Sequence, residues 1–360
     1  MAAISLCMIV KNEEDVLERV LKSVENIFDE IIIADTGSSD NTKKIAYKYT
    51  DKVYDFKWIQ DFSAARNFVC SKASTDYWMW LDADDIINEK WRGELLKLKE
   101  NIDTSVDMVM MKYVTGFDKD DKPSFYYYRE RIIKNHMGYS WEGRVHEAIV
   151  PKGKIIYSDI EIEHRKINKE YTDRNLKIYE DMLEKGEKFD PRSKFYYGRE
   201  LYFNGKYEKA VNVFKEFLKE GKGWIENNID ACLQMARCYE KMGIYDERMK
   251  SLIYSFYFDV PRAEICCEIG RGFMEIKEYE RAVYWYKRAV ESENYERGGG
   301  FIQKDFYDYI PYIQICVCYD KMGDIKNAFE YHKLSKKIKP DSAAVISNER
   351  YFESYGEELN

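Results

Sequence analysis

Several features that define common protein classes are missing from this sequence. The eight cysteines include no C-x-x-C pair, which excludes a zinc ribbon and a thioredoxin-type redox site. No apolar run approaches the roughly 20 residues of a membrane-spanning helix, and residues 1–10 lack the basic segment of a secretory signal. We therefore expect a cytoplasmic protein with reduced cysteines that acts without a membrane.

Two further absences concern charge and phosphate binding. The 57 basic and 65 acidic residues give a net charge of −8 and form no long run of one sign, which argues against a nucleic-acid partner. Neither the G-x-G-x-x-G nor the G-x-x-x-x-G-K-[ST] motif occurs, so the sequence offers no glycine-rich loop for a phosphate. These absences favour a site in which a metal ion offsets the phosphate charge.

Up to residue 85, the sequence alternates apolar runs with helical patterns. Four apolar runs predict buried strands, at Ile4–Val10, Glu30–Asp35, Val53–Phe56 and Tyr77–Leu81. Because patterns of helical period separate them, we predict a parallel sheet with crossover helices. Four later segments are expected to extend this sheet, at residues 108–114, 125–133, 145–150 and 154–162.

From about residue 171 the strand pattern ends and an internal repeat begins. Equivalent turn positions recur at intervals of 38, 34 and 46 residues, at Gly205, Gly243, Lys277 and Gly323. Seven residues before each turn stands a small residue, which predicts pairs of closely packed helices and resembles the tetratricopeptide repeat. We therefore predict an α/β domain in residues 1–168 and an all-α, tetratricopeptide-like repeat domain in residues 169–360.

One acidic segment stands where such a sheet is expected to bind its ligand. Asp82-Ala83-Asp84-Asp85 follows the fourth predicted strand, and open α/β sheets bind ligands at the carboxyl ends of their strands. Two carboxylates two positions apart can bind a hard divalent cation, which in turn holds a diphosphate. The segment therefore predicts a site for Mn²⁺ or Mg²⁺.

Four motifs, in the same order along the chain, resemble the family-2 glycosyltransferases of the GT-A fold over about residues 3–164. They are S-L-C-M-I-V-K-N-E-E from Ser5, D-T-G-S-S-D-N-T from Asp35, F-S-A-A-R-N from Phe62 and W-L-D-A-D-D from Trp80. The resemblance implies a GT-A domain that moves a sugar from a nucleotide-sugar, with a divalent metal and with inversion. UDP-glucose and UDP-N-acetylglucosamine are the donors we expect.

The resemblance also assigns residues to the donor site. Asp35 would accept hydrogen bonds from the base or ribose, and Arg66 would steady the nucleotide unless it is a buried ion-pair partner instead. Asp82 and Asp84 would contact the ribose and the metal, with Asp84 the better metal ligand. The full donor set implied is Val10, Asn12, Glu14, Asp35, Arg66, Asp82, Ala83, Asp84 and Trp141.

A narrower resemblance rests on W-E-G-R-V-H-E, residues 141–147. The segment is similar to one in family-2 enzymes fused to tetratricopeptide repeats, the group of sublancin S-glycosyltransferases and flagellin glycosyltransferases. In GT-A enzymes a late histidine commonly completes the metal site, so His146 is predicted as a metal ligand. Glu147 is the first candidate for the general base and His146 the second. We expect a structural role for His164 and a surface position for Glu13.

The predicted acceptor is a peptide or protein side chain, either Ser/Thr for an O-link or Cys for an S-link. The repeats would bind it along their concave face, or would instead form a homodimer. One alternative is a glycan or lipid-precursor glycosyltransferase, and another is a noncatalytic repeat-scaffold adaptor. An NAD-dependent dehydrogenase would also place an acid such as Asp35 after its second strand, but the missing glycine motif disfavours it.

Overall fold

The computed structural model describes residues 2–119, 121–167, 172–293 and 302–355. These residues form two compact units, the first ending at Lys188 and the second starting at Phe189. An α/β unit followed by a helical unit confirms the predicted fold class. The predicted boundary between residues 168 and 169 lies outside the described residues.

The first unit is built from short strands and helices that alternate along most of its length. Its strands are β1 (Ile4–Val10), β2 (Glu30–Asp35), β3 (Val53–Asp55), β4 (Tyr77–Trp80), β5 (Asp85–Ile86), β6 (Met108–Phe117), β7 (Pro123–Lys134), β8 (Trp141–Glu142), β9 (Ala148–Ile149) and β10 (Ile155–His164). Its helices are α1 (Leu17–Ser23), α2 (Thr42–Ala46), α3 (Phe62–Cys70), α4 (Glu89–Asn101) and α5 (Arg174–Glu184).

The main sheet is mixed, with the strand order β3-β2-β1-β4-β7-β6-β10-β5. Strands β1 to β4 pair in parallel, as predicted, whereas β7 runs antiparallel to both β4 and β6. Apolar side chains of β1 alternate between two cores, one shared with α1, α2 and α4 and the other with α3. Because both faces are covered, these strands are continuous apolar runs, and the carboxyl ends of β1, β2 and β4 meet at one edge.

The predicted strand over residues 145–150 is wrong in extent. Only Ala148–Ile149 forms a strand, β9, which pairs with β8 in a separate two-stranded ribbon. Gly143 and His146 both have a left-handed backbone, with φ of 94° and 53°, so the chain turns here instead of extending. This turn carries His146 and Glu147, and its geometry matters for the site.

The second unit consists of helices that pack in antiparallel pairs. They are α6 (Pro191–Phe203), α7 (Tyr207–Glu220), α8 (Ile225–Lys241), α9 (Tyr245–Tyr254), α10 (Ala263–Glu275), α11 (Tyr279–Glu291), α12 (Tyr309–Lys321), α13 (Ile325–Ile338) and α14 (Ala343–Glu353). Among the described residues, no helix has both the length and the apolar character needed to cross a bilayer.

The repeat turns lie where the sequence places them. Gly205, Gly243, Lys277 and Gly323 all have positive φ, between 62° and 79°, and each stands in the turn between the two helices of a pair. Seven residues before the first turn, a Cβ on Gly198 would meet the ring of Phe214 at 2.6 Å. The small residue therefore permits close helix contact, as the repeat pattern predicts.

Candidate functional site

A cavity of about 410 Å³ opens in the first unit at the carboxyl ends of the parallel strands. Val10 and Thr36 line it after β1 and β2, and Asp82, Ala83 and Asp84 line it after β4. This is the edge at which open α/β sheets bind ligands. The structure therefore brings together residues from distant parts of the chain, from Ile9 to Asn175.

Asp84 and His164 at the cavity wall form a cluster of metal-ligand type with the buried Asp85 behind them. Single ligand atoms of Asp84, Asp85 and His164 all lie within 4.8 Å of one another. Nδ1 of His164 is 3.2 Å from Oδ1 of Asp84 and 3.3 Å from Oδ1 of Asp85. Two carboxylates with one imidazole nitrogen suit Mn²⁺ well, so the residues present fit the expected divalent metal.

His164 is held in this cluster by both charge and hydrogen bonding. Burial alone would lower the pKa of His164, but hydrogen bonds and the charges of Asp84 and Asp85 outweigh it and raise the pKa to about 9. The hydroxyl of Tyr113 lies 2.8 Å from the same Nδ1 atom. A site this rich in negative charge favours a cation, either a proton on His164 or a metal ion among the three ligands.

Asp85 is the innermost member of the cluster. It is fully buried, and its Oδ2 accepts hydrogen bonds from the backbone N–H of Asp82 at 3.0 Å and from Nη1 of Arg131 at 3.2 Å. Arg131 is also fully buried and lies over the ring of Trp80 at 3.6 Å. These contacts fix the position of Asp85 and leave its Oδ1 3.3 Å from Nδ1 of His164.

Arg66 occupies the centre of the site, but it contacts carboxylates of the protein itself. Its Nη2 lies 2.6 Å from Oδ1 of Asp82, and its Nε lies 2.6 Å from Oε1 of Glu147. The guanidinium sits 4.9 Å from the Trp80 ring and 4.8 Å from the Trp141 ring. Burial acts to lower the pKa of Arg66, but the two carboxylates raise it, so the residue stays charged.

The ion pair with Arg66 also changes the pKa of Asp82. Burial raises the pKa of Asp82, but the charge of Arg66 and its hydrogen bond lower it well below its ordinary value. Of the two readings left open for Arg66, the geometry therefore favours the buried ion-pair partner. Its effect on a nucleotide would act through Asp82 and Glu147.

On the nucleotide side, Asp35 is prepared to accept a hydrogen bond. Its Oδ1 accepts from the backbone N–H groups of Gly37 and Ser38, at 3.0 and 2.9 Å. Its Oδ2 is buried and has no hydrogen-bond partner among the described residues. A buried acceptor without a donor is costly, so this atom fits a ligand N–H or hydroxyl group.

Two residues predicted to contact the nucleotide instead hold the loops together. Oδ1 of Asn12 accepts from the backbone N–H of Ser39 at 2.8 Å, and Oε2 of Glu14 accepts from that of Asn41 at 3.0 Å. Neither side chain is among the described residues that line the cavity. Their direct role in nucleotide binding stays a prediction, and the contacts favour a role in shaping the first loop.

The residues predicted for catalysis lie in the turn between β8 and β9. His146 and Glu147 both line the cavity, whereas Trp141 lies behind it, with its backbone paired to the side chain of Asn67. His146 is not a member of the metal-type cluster, so its role as a metal ligand stays a prediction. The histidine that meets Asp84 is His164, for which we expected a structural role.

Sequence reasoning also missed Glu13. Its side chain is half-buried and lines the cavity, although we expected it on the surface. Burial, followed by the charges of Asp84 and Asp82, raises its pKa to about 7, and the charge of Arg174 opposes this rise. The available signal was its position, because a residue just after the first parallel strand lies at the ligand-binding edge.

Comparison with known proteins agrees with this geometry. Residues 5–161 match the sequence profile of the family described as Glycosyl transferase family 2. The chain contains a family 2 glycosyltransferase domain. The matched residues run from β1 to most of β10 and include Asp35, Arg66, Asp82 and Asp84, while His164, the last residue of β10, lies just beyond them.

Several named proteins are similar in sequence to parts of this chain. The SPbeta prophage-derived glycosyltransferase SunS of Bacillus subtilis is 28% identical over 231 residues, which is 60% of this chain and 53% of SunS. The lipopolysaccharide core biosynthesis glycosyltransferase LpsC of Rhizobium meliloti is 26% identical over 159 residues, 42% of this chain and 58% of LpsC. A TPR repeat-containing protein of Synechococcus elongatus is 47% identical over 92 residues, 25% of this chain and 23% of that protein.

The chain thus spans little more than half the length of the first two relatives. Among solved structures, glucosyl-3-phosphoglycerate synthase of Mycobacterium tuberculosis with Mn²⁺ and UDP-glucose matches 31% of this chain and 44% of its own. The match has 22% identity and a TM-score of 0.27. The family 2 domain is therefore the part of the chain whose relationship is established.

Proposed function

We propose that this protein transfers a sugar from a UDP-sugar to a peptide or protein side chain, with inversion and with Mn²⁺ or Mg²⁺ bound. The observation that carries the proposal is the convergence of Asp82, Asp84 and His164 on one cavity of the family 2 domain. Asp85 is buried beside them, and Asp35 ends β2 next to the lining residue Thr36. Asp35 offers an unpaired buried acceptor for the base or ribose. Asp82 lines the same cavity and is held there by Arg66.

The reaction we propose is a single displacement at the anomeric carbon. The acceptor oxygen or sulfur forms a bond to this carbon while the bond from the carbon to the diphosphate oxygen breaks. The electron pair of the broken bond leaves with UDP, and the acceptor proton passes to a general base. A metal ion held by Asp84, Asp85 and His164 would offset the charge that develops on the diphosphate.

Glu147 remains the first candidate for the base. Its side chain is 12% exposed and lines the cavity, and its Oε1 is fixed by Arg66 at 2.6 Å. The ion pair with Arg66 fixes the direction of the Glu147 carboxyl group, and its other oxygen would accept the proton. His146, in the same turn, is the second candidate.

The acceptor class rests on the similarity to SunS and on the helical repeats of the second unit. Repeat solenoids commonly bind extended polypeptide along their concave face, and Ser, Thr or Cys side chains supply the nucleophile for such a transfer. We also propose that the protein is cytoplasmic and that its repeats could instead form a homodimer.

A second candidate acceptor is a glycan, because LpsC, named for lipopolysaccharide core biosynthesis, covers 42% of this chain. An acceptor panel separates the two. The protein is incubated with UDP-glucose or UDP-N-acetylglucosamine and Mn²⁺, and a peptide library and lipopolysaccharide core oligosaccharides are analysed by mass spectrometry. We expect a hexose or N-acetylhexosamine mass on peptide only. Transfer to the oligosaccharide alone would replace the peptide proposal, and transfer that persists in EDTA would contradict the metal.

A further inference from the structure

The chain that follows β10 continues along the metal-type cluster. The backbone N–H of Arg165 donates to the carbonyl oxygen of Asp84 at 2.9 Å, which keeps this segment against the acidic motif. Side chains two positions apart in extended chain lie on the same side. His164 and Lys166 accordingly both line the cavity, whereas Arg165 pairs elsewhere, with Glu163 at 2.7 Å.

Helix α5 belongs to the same wall, although it lies beyond both the family 2 match and the predicted domain boundary. Its first residue, Arg174, lines the cavity, with its guanidinium 4.8 Å from the ring of Phe62. The helix is anchored by Tyr179, which is fully buried and donates a hydrogen bond to the carbonyl oxygen of Val145 at 3.3 Å. Arg174 is therefore placed by a packed helix.

Lys166 and Arg174 differ from the arginines deeper in the cavity. Arg66 pairs with two carboxylates, and Arg129 pairs with Glu130 at 3.0 Å. Lys166 and Arg174 form no ion pair with any carboxylate of the described residues. Both are exposed at the cavity wall, so they carry positive charge that no described carboxylate neutralises directly.

Lys11 also lines the cavity without an ion pair to a described carboxylate, but it directly follows Val10 of β1, which pairs with Asp35 of β2. Lys166 comes from the segment that supplies His164. Arg174 lines the same cavity as Asp84 and His164, and its charge acts on Glu13 in that cavity. Lys166 and Arg174 thus add two cations to the cavity where the metal-type cluster would hold a diphosphate.

We propose that Lys166 and Arg174 bind the diphosphate of the donor, which makes α5 a working part of the donor site. The inference rests on the proposed function. Phosphate oxygens accept charge-assisted hydrogen bonds from ammonium and guanidinium groups. When the bond between the anomeric carbon and the diphosphate oxygen breaks, its electron pair stays on that oxygen. The two side chains then stabilise the added negative charge on the leaving group.

The test compares UDP with UMP, because UMP lacks the terminal phosphate. Binding of each to the full chain with Mn²⁺ is measured by calorimetry for wild type, Lys166→Met and Arg174→Met. We expect each substitution to weaken UDP binding about tenfold and UMP binding much less. Equal losses for UDP and UMP, or unchanged UDP binding, would overturn the inference.

Three controls sharpen the result. Arg165→Gln removes one positive charge next to Lys166 but outside the cavity, and it should leave the ratio of UDP to UMP affinity unchanged. Lys166→Arg and Arg174→Lys keep the charge and should recover most of the UDP affinity. With a donor sugar, the methionine variants should lower kcat more than they raise KM, because the charge on the diphosphate grows in the transition state.

Binding measurements on the wild type distinguish a failure of this inference from a failure of the proposed function. If it binds UDP with Mn²⁺ and the two methionine variants bind equally well, only the diphosphate role of Lys166 and Arg174 fails. If the wild type binds neither UDP nor UMP under any metal condition, the proposed function and the inference fail together.

Discussion

The two units of this protein organise their polar residues in different ways. In the first unit, charged side chains from distant parts of the chain are buried together around a cavity, as with Arg66, Asp82 and Glu147. In the second, buried charged side chains instead pair between neighbouring helices, as Arg248 of α9 does with Glu275 of α10, and apolar side chains pack between the helices. The difference indicates a unit under chemical constraint and a unit shaped mainly by repetition.

The largest effect that would test this contrast is the loss of Asp84. Asp84→Asn removes a charged member of the metal-type cluster, and we expect hydrolysis of the UDP-sugar without acceptor to fall on the order of a thousandfold. EDTA should do the same to the wild type. Asp55→Asn, at an exposed carboxylate paired with Lys43, is the matched control and should keep full activity. If Asp84→Asn were as active as the wild type, the conclusion that catalysis constrains the buried charges of the first unit would be wrong.

A second prediction separates two histidines of the cavity. His164→Ala should weaken Mn²⁺ binding about ten- to a hundredfold, because Nδ1 of His164 lies among the carboxylate ligands. His146→Ala should leave Mn²⁺ binding within a few-fold of wild type, since His146 is outside this cluster. Electron paramagnetic resonance of bound Mn²⁺ measures both. The reverse pattern would restore His146 as the metal ligand and leave His164 structural.

The third prediction concerns a buried charge of the first unit that has no part in the cavity. Glu30 accepts hydrogen bonds from Ser5, Lys52 and Ser74. Burial acts to raise the pKa of Glu30, but these partners outweigh it and lower the pKa to about 2. The carboxylate should therefore stabilise the fold above its ordinary pKa near 4.5, and this contribution should be lost as the pH falls from there towards 2.

Because Lys52 is partly exposed, solvent screening limits the contribution to on the order of 2 kcal/mol. Glu30→Gln should lower the free energy of unfolding by that amount at pH 7 and make it less dependent on pH between about 4.5 and 2. Urea unfolding over this range checks both effects. An unchanged acid response in Glu30→Gln would show that other carboxylates dominate it.

The smallest predicted effect compares a Gly→Ala substitution in each of the two units. Gly198→Ala in the second unit places a methyl group 2.6 Å from the Phe214 ring, and overpacking should outweigh the helix preference of alanine by about 1 kcal/mol. Gly93→Ala in α4 meets no atom within 4 Å and should stabilise by about 1 kcal/mol. Hydrogen exchange, read separately for each unit, detects both. Equal signs would contradict the close packing inferred for the repeats.

Local patterns were enough to predict much of the fold. Strands β1 to β4 lie within one or two residues of their apolar runs, and the repeat turns coincide with Gly205, Gly243, Lys277 and Gly323. Both features can be read from short stretches of sequence. A strand that is buried on both faces is a continuous apolar run, and a helical repeat recurs at a nearly constant spacing. The strand expected at residues 145–150 failed because backbone geometry at Gly143 and His146 overrides an apolar pattern.

The site could be predicted only where its residues follow a strand directly, as Asp82 and Asp84 do. His164 reaches the cluster because β10 pairs antiparallel with β5, which places His164 opposite Asp85. The pairing of β10 with β5 cannot be predicted from a local sequence pattern. His146, which lies in a motif that resembles the family, was therefore predicted as the metal ligand instead. Arg174 was missed for a related reason, since its helix lies beyond the expected domain boundary.

The central claim is that the first unit holds a donor site completed by a divalent metal. Calorimetry of UDP binding to the full chain, with and without Mn²⁺, tests it most directly. We expect micromolar binding that needs Mn²⁺ and that is lost in Asp84→Asn while the fold is retained. Binding of UDP that is equally tight in EDTA, or that survives in Asp84→Asn, would contradict the account.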